Sequence, residues 1–206
     1  MDKNGNVISQ TQTIRNWWGS GVVIPGRGFI MNNAMADFSA KAGVRTTQGL
    51  AYGMANAIRP GKTPLSSMSP TIVMKDGKPV LSVGAAGGPR IITSTLQLII
   101  NNLDYGMMMD SAVKHPHMCC LTLNQGLELE EGFSPDTIKL LAAKGHIIKN
   151  TTDFGELLVM PNGIRNIDGT FFPGGTSRVD GGGGALTASG TMAIDGLCFI
   201  DEKLTK

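Results

Sequence analysis

The sequence predicts an α+β fold, with one domain over residues 1–206. Two patterns carry this. Period-two apolar runs come in pairs closed by turn residues, as antiparallel hairpins do, and helical patterns follow the hairpins instead of alternating with single strands. Hydrophobic residues make up 41% and charged residues 17% of the chain, which is enough apolar material for a buried core.

In chain order, Asn4-Gly5-Asn6 is a hairpin-type turn signal, and the alternation from Val7 to Ile14 predicts a strand. Gly21 to Pro25 and Phe29 to Met31 predict two short strands around a Pro-Gly turn. Residues 39 to 63 have no period; Gly43, Gly49, Gly53, Pro60 and Gly61 make them a long surface excursion. The clearest unit follows. It is a strand over Thr71 to Lys75, a turn at Asp76-Gly77, a strand over Pro79 to Val83, a glycine-rich bend over Gly84 to Gly88, and a helix over Arg90 to Leu103. Ile92, Leu96, Ile99 and Leu103 define the helix's apolar face, and Ile91 and Ile100 widen it enough for the helix to lie between layers. Met109 to Lys114 predicts a short helix stopped by Pro116. Pro135 to Lys144 predicts another, with Ser134 as cap, Pro135 at its first position and Gly145 at its exit. Glu156 to Met160, Thr170 to Phe172 and Thr191 to Ile200 read as weaker strands, and Gly181 to Gly184 as a flexible turn or linker.

Composition removes several functions. A formal charge of +2, no basic stripe, and only two Trp and two Tyr argue against a nucleic-acid partner. No apolar run is long enough for a bilayer, and Thr93, Ser94, Thr95 and Gln97 interrupt the best of them, so no membrane partner is expected. Met1 to Asn6 is polar and carries no leader pattern. Cys119 and Cys120 are adjacent and Cys198 is distant, which makes no disulfide framework. His115, His117 and His146 lack zinc spacing, and Met107 to Met109 reads as pliable packing, so no metal or organic cofactor is expected.

Two segments stand out chemically. Pro64-Leu65-Ser66-Ser67-Met68-Ser69-Pro70 pins hydroxyls between prolines, and Gly87-Gly88-Pro89-Arg90 opens a helix with backbone N–H groups that suit an anion. The residues alone fit a close-packing turn at least as well. The bend is not followed by Lys-Ser or Lys-Thr and does not fit a dinucleotide fingerprint, which argues against a phosphate- or nucleotide-binding domain.

Asn32-Asn33-Ala34-Met35-Ala36-Asp37-Phe38-Ser39, the Ser66-Ser67 segment and Gly87-Gly88-Pro89-Arg90 stand in the order and spacing of γ-glutamyltransferase small subunits, which this chain resembles. Asp2 to Asn6, Gly19-Ser20-Gly21 and Gly132 to Thr137 extend the resemblance. It implies the small-subunit portion of an N-terminal-nucleophile hydrolase, a four-layer αββα sandwich completed by a large subunit of the same precursor. In that family a precursor cleaves itself before a threonine. The threonine then attacks a γ-glutamyl amide such as glutathione and passes the acyl group to water or an amino acid. The resemblance implies that Gly87 and Gly88 supply the oxyanion hole, and that Ser66 and Ser67 bind the substrate's α-carboxylate. It implies too that Asp37 holds the α-ammonium and that Thr13 bonds near the nucleophile. It also suggests a periplasmic or extracellular location.

The chain departs from the pattern in three places. The nucleophilic Thr-Thr-His segment falls before Met1, so this chain by itself is expected to be inactive, and a non-catalytic module that keeps the carboxylate pocket is the competing reading. Arg15 replaces an asparagine, and Ala34 and Ala36 replace polar or acidic residues. An arginine beside an ammonium site is unfavourable unless it pairs with Asp37 or a substrate carboxylate. An acyl group with an additional carboxylate, or without the amine, is therefore expected. The alternative is a one-residue shift that puts Asn16 in the asparagine's place and Arg15 in solvent. His117 and Gly175 to Arg178 replace arginine-bearing segments, which weakens any role for the C-terminal loops. Without a large subunit the chain is expected to expose an apolar face.

Overall fold

The computed structural model describes residues 1–45, 52–122, 126–150, 159–178, 183–186 and 192–195. Its contacts cluster in two compact units, Met1–Thr11 with Met68–Lys206, and Gln12–Ser67. The regular elements, in order, are β1 (Thr71–Lys75), β2 (Lys78–Ala86), α1 (Ile91–Leu103), α2 (Met109–Lys114), β3 (Met118–Cys119), β4 (Leu127–Leu129), α3 (Pro135–Ala143), β5 (Ile148–Asn150), β6 (Met160–Ile167), β7 (Thr170–Gly174), β8 (Gly183–Leu186) and β9 (Met192–Asp195). Glu156 to Leu158 of the predicted strand, Gly181 and Gly182 of the predicted linker, and all but Met192 to Asp195 of the last predicted strand lie outside the described residues. Gly183 and Gly184 are strand, in β8.

In the larger unit the main sheet runs β1-β2-β6-β7, antiparallel throughout. Asp76 and Gly77 both take positive φ, the geometry that closes a two-residue hairpin in step with strand twist. Asp168-Gly169 closes β6 to β7 in the same way. Leu81 and Val83 of β2 face Leu98 of α1 and Met109, Ala112 and Val113 of α2 in one buried cluster. A smaller sheet pairs β3 antiparallel and β5 parallel to β4, and α3 makes the crossover between the two parallel strands. Ser134 Oγ accepts from Thr137 N, Pro135 opens α3, and Gly145 follows it at positive φ, as the local sequence requires.

Four expectations fail here. The short strands expected over Gly21 to Pro25 and Phe29 to Met31 reduce to a single bridge between Val23 and Ile30. The other three fail for tertiary reasons. Val7 to Ile14 forms no strand. Both edges of β2 are taken, by β1 and β6, so this chain segment meets only a face. Its contacts are Ser9 Oγ donating to Val83 O and Ser82 Oγ donating to Ile8 O, not a ladder. The predicted bend from Gly84 is shorter, because Gly84 to Ala86 continue β2 against Met160 to Asn162. The apolar face of α1 is also not the one that meets the sheet. Ile91, Ser94, Thr95, Leu98 and Asn102 are buried, whereas Ile92, Leu96 and Leu103 are 55%, 53% and 45% exposed. Gln97 uses its amide as a strand would, donating to Met118 O and accepting from Met118 N.

The C-terminal loop carries more structure than its sequence suggested. Arg178 donates through Nε to Glu130 Oε1 at 2.8 Å, through Nη1 to Val113 O at 2.7 Å, and through Nη2 to Glu130 Oε2 and His115 O. His117 lies against this cluster, 1% exposed, with its N–H on Glu130 Oε2. Removing one member of such a buried, bonded pair strands the other charge.

Two stability measurements test this packing. A Cβ on Gly174 would lie 2.7 Å from the Met109 carbonyl carbon, whereas one on Gly163 meets only the Met109 and Val83 side chains, nearest at 2.8 Å. Gly174→Ala is therefore expected to lose about 3 kcal/mol and Gly163→Ala about 1 kcal/mol, read by urea unfolding. Burial, and then the neighbouring Arg178 cation, push His117 down from 6.5 to about 4. The unfolded chain takes up this proton below 6.5 and the folded chain does not. Stability should thus fall by about 3 kcal/mol as pH drops from 6.5 to 4, and His117→Gln should flatten the slope in that window.

Candidate functional site

The larger unit presents a strand-to-helix turn. β2 ends at Ala86, Gly87 takes φ 141° and Gly88 φ 59°, and a single 3-10 turn over Gly88–Arg90 feeds α1. Positive φ at two successive residues is why glycines stand there. Pro89 supplies the first-turn φ without needing a bond for its nitrogen. No side chain caps the first turn of α1, so the dipole of a thirteen-residue helix ends at this turn.

Arg90 fixes the turn from behind. Its Nε and Nη2 grip Glu128 Oε2 and Oε1 at 2.9 and 3.2 Å, and Lys149 Nζ adds a 3.3 Å bond to Oε1. A two-pronged bond restrains the guanidinium in direction as well as distance. Burial raises the Glu128 carboxyl, but the two cations outweigh burial and hold it below its ordinary value.

The smaller unit holds the other predicted residues. Thr13 Oγ1 accepts from Arg15 N at 2.8 Å. Arg15 sits at φ 75° and reaches back to Asp37, Nε to Oδ1 at 2.7 Å, with Nη2 on Ala36 O and Nη1 on Asn16 Oδ1. The pair is half-buried, 22% and 36% exposed. The alternative that leaves Arg15 in solvent thus has no counterpart in the structure. Asparagines frame the pair: Asn32 Oδ1 accepts from Ala34 N, Asn33 Oδ1 from Asn16 N, and Asn33 N donates to Ile14 O. These bonds fasten the Arg15 loop to the 3-10 turn Ala34–Asp37.

Sequence reasoning missed Asn56. Its Nδ2 donates to Asp37 O at 2.7 Å and its Oδ1 accepts from Leu65 N at 3.0 Å. One amide therefore joins the Asp37 segment to the residue just before Ser66 and Ser67, of which Ser66 is exposed and Ser67 half-buried. Tyr52 was also missed; burial and then the Asp37 charge push its phenol up, and Arg15 pulls it back.

Losing the Glu128 charge should loosen the turn. Glu128→Gln is expected to lose about 2 kcal/mol at neutral pH by leaving Arg90 half-satisfied. In the wild type the same contribution is present above 4.5 and is lost as pH falls through the lowered Glu128 value; the variant should lack that acid limb in a pH series of unfolding curves.

A family model described as gamma-glutamyltranspeptidase matches residues 1–182. The glutathione hydrolase proenzyme of Escherichia coli (strain K12) is 46% identical over 166 residues, which cover 79% of this chain and 29% of that protein. The acylase ACY 1 proenzyme of Pseudomonas sp. (strain SE83) is 36% identical over 200 residues, 96% of this chain and 33% of that protein. The chain thus spans about a third or less of the length of these relatives. A crystal structure of a Helicobacter pylori γ-glutamyltranspeptidase mutant superposes with a TM-score of 0.80 at 40% identity, over 87% of this chain and 97% of that one.

Proposed function

The chain belongs to the γ-glutamyltranspeptidase family, with the α+β fold of the N-terminal-nucleophile hydrolases, and on that premise we propose that it is the small-subunit part of an amide-cleaving acyltransferase. The observation that carries the reading is the Gly87–Gly88 turn, from which a strand end runs through one 3-10 turn into a helix start that no side chain caps.

The N–H groups of Gly87 and Gly88 take up charge on the acyl oxygen as the threonine hydroxyl adds to the carbonyl. Ser66 and Ser67 bind the acyl group's carboxylate, Asp37 and Arg15 set what stands beside it, and Thr13 holds the loop that carries Arg15. The hydroxyl proton passes through the threonine's α-amine to the departing amide nitrogen. Water or an amino acid then attacks the ester and frees the threonine. Nucleophile and large subunit come from the remainder of the precursor. The exposed Ile92, Leu96 and Leu103 stripe of α1 supports a protein partner, because an exposed apolar stripe on a helix is suited to burial against another surface.

The test is expression of the whole precursor. It should cleave itself into two subunits and hydrolyse acyl anilides, whereas this chain alone should not. Gly87→Ala should lower kcat by about 10² to 10³, with KM little changed. A processed, folded precursor that cleaves no acyl anilide would overturn the reading.

A further inference from the structure

Resting on that reading, we propose that Arg15 closes the ammonium position of the acyl site. The acyl group the enzyme selects has the length and terminal carboxylate of γ-glutamyl but no α-ammonium, as in a glutaryl group.

The geometry leaves Arg15 little freedom. Its guanidinium bonds Asp37 Oδ1, Ala36 O and Asn16 Oδ1, and its own N–H is held by Thr13 Oγ1. The loop behind it is fastened at Asn16 N by Asn33 Oδ1 and at Ile14 O by Asn33 N. Swinging the side chain aside would break all three guanidinium bonds and uncover a half-buried carboxylate. If Arg15 stays, an incoming ammonium must share Asp37 with a guanidinium already bonded to it, and two cations on one carboxylate repel each other. Ala34 and Ala36 add no side-chain polar atom that would repay the ammonium's lost hydration.

A desamino acyl group meets neither obstacle. Its carboxylate goes to the serine segment, which Asn56 ties to Asp37 through Leu65. The Arg15–Asp37 pair stays intact and neutral beside its methylenes.

The experiment compares glutaryl and γ-glutamyl p-nitroanilides as substrates of the processed full-length enzyme, wild type and Arg15→Asn. Asparagine tolerates left-handed backbone, so the substitution removes the cation without straining the loop. Arg15→Gly, which the same φ also suits, is a second neutral variant with the same expected result. The wild type should favour the glutaryl anilide by at least about tenfold in kcat/KM, and either variant should reduce that ratio by at least about tenfold, through KM for the γ-glutamyl substrate. In the wild type alone, KM for the γ-glutamyl anilide should also improve as pH rises through the pKa of its α-amine. A wild type that prefers the γ-glutamyl anilide, with a ratio unchanged in both variants, overturns this proposal and leaves the acyltransferase reading standing. Cleavage of neither anilide by processed protein overturns both.

Discussion

A strand that runs into a helix must change its backbone from extended to helical and turn aside within very few residues. Here Gly87 and Gly88, both at positive φ, begin the change and the 3-10 turn through Arg90 completes it, and much of the larger unit follows from that constraint. β2 is an inner strand, so the turn is delivered from the middle of the sheet and not from an edge. α1 then lies back across β2, its Leu98 against Leu81 and Val83. Arg90, the last residue of the turn, reaches to Glu128 and through it to Lys149 of β5, so the smaller sheet is tied to the turn by charge. The proposed oxyanion role needs donors placed beforehand, and this arrangement restrains the turn that would carry them.

The smaller unit is organised differently. Phe38 is its one buried large apolar side chain among the described residues, and side-chain amides do much of the work that a core would do. Asn33 and Asn56 bond backbone groups in neighbouring segments, and Asn32 bonds Ala34 N within its own. Polar scaffolding of this kind holds a loop without filling the space in front of it.

What could be read in advance divides along the same line. Local chemistry was legible: Asp76-Gly77 marked a hairpin, and Ser134, Pro135 and Gly145 marked both ends of α3. Asp168-Gly169 carries the same hairpin signal, but the segment before it, Met160 to Ile167, mixes Pro161, Asn162, Gly163 and Arg165 and hides its period. β3, β4 and β5 have two or three residues each and are too short to show one. The failures at Val7 to Ile14 and on α1 have one cause. Whether an alternating segment finds a free sheet edge, and which of two apolar helix sides meets the sheet, are decided by the rest of the fold. Asn56 was invisible because its partners stand nine and nineteen residues away. Arg178 was undervalued because its segment lacks the family's spelling, though its side chain is buried in an ion pair with Glu130.

The left-handed backbone at Arg15 bears on how this chain changes over generations. Arginine at φ 75° is disfavoured, and asparagine or glycine would sit there with less strain. Substitution at position 15 therefore meets two opposed demands, since a residue that relaxes the backbone also removes the guanidinium that covers Asp37. Asparagine or glycine satisfies the first demand and arginine the second. The position thus trades backbone strain against an ion pair, and a change at Asp37 would remove the reason to carry that strain.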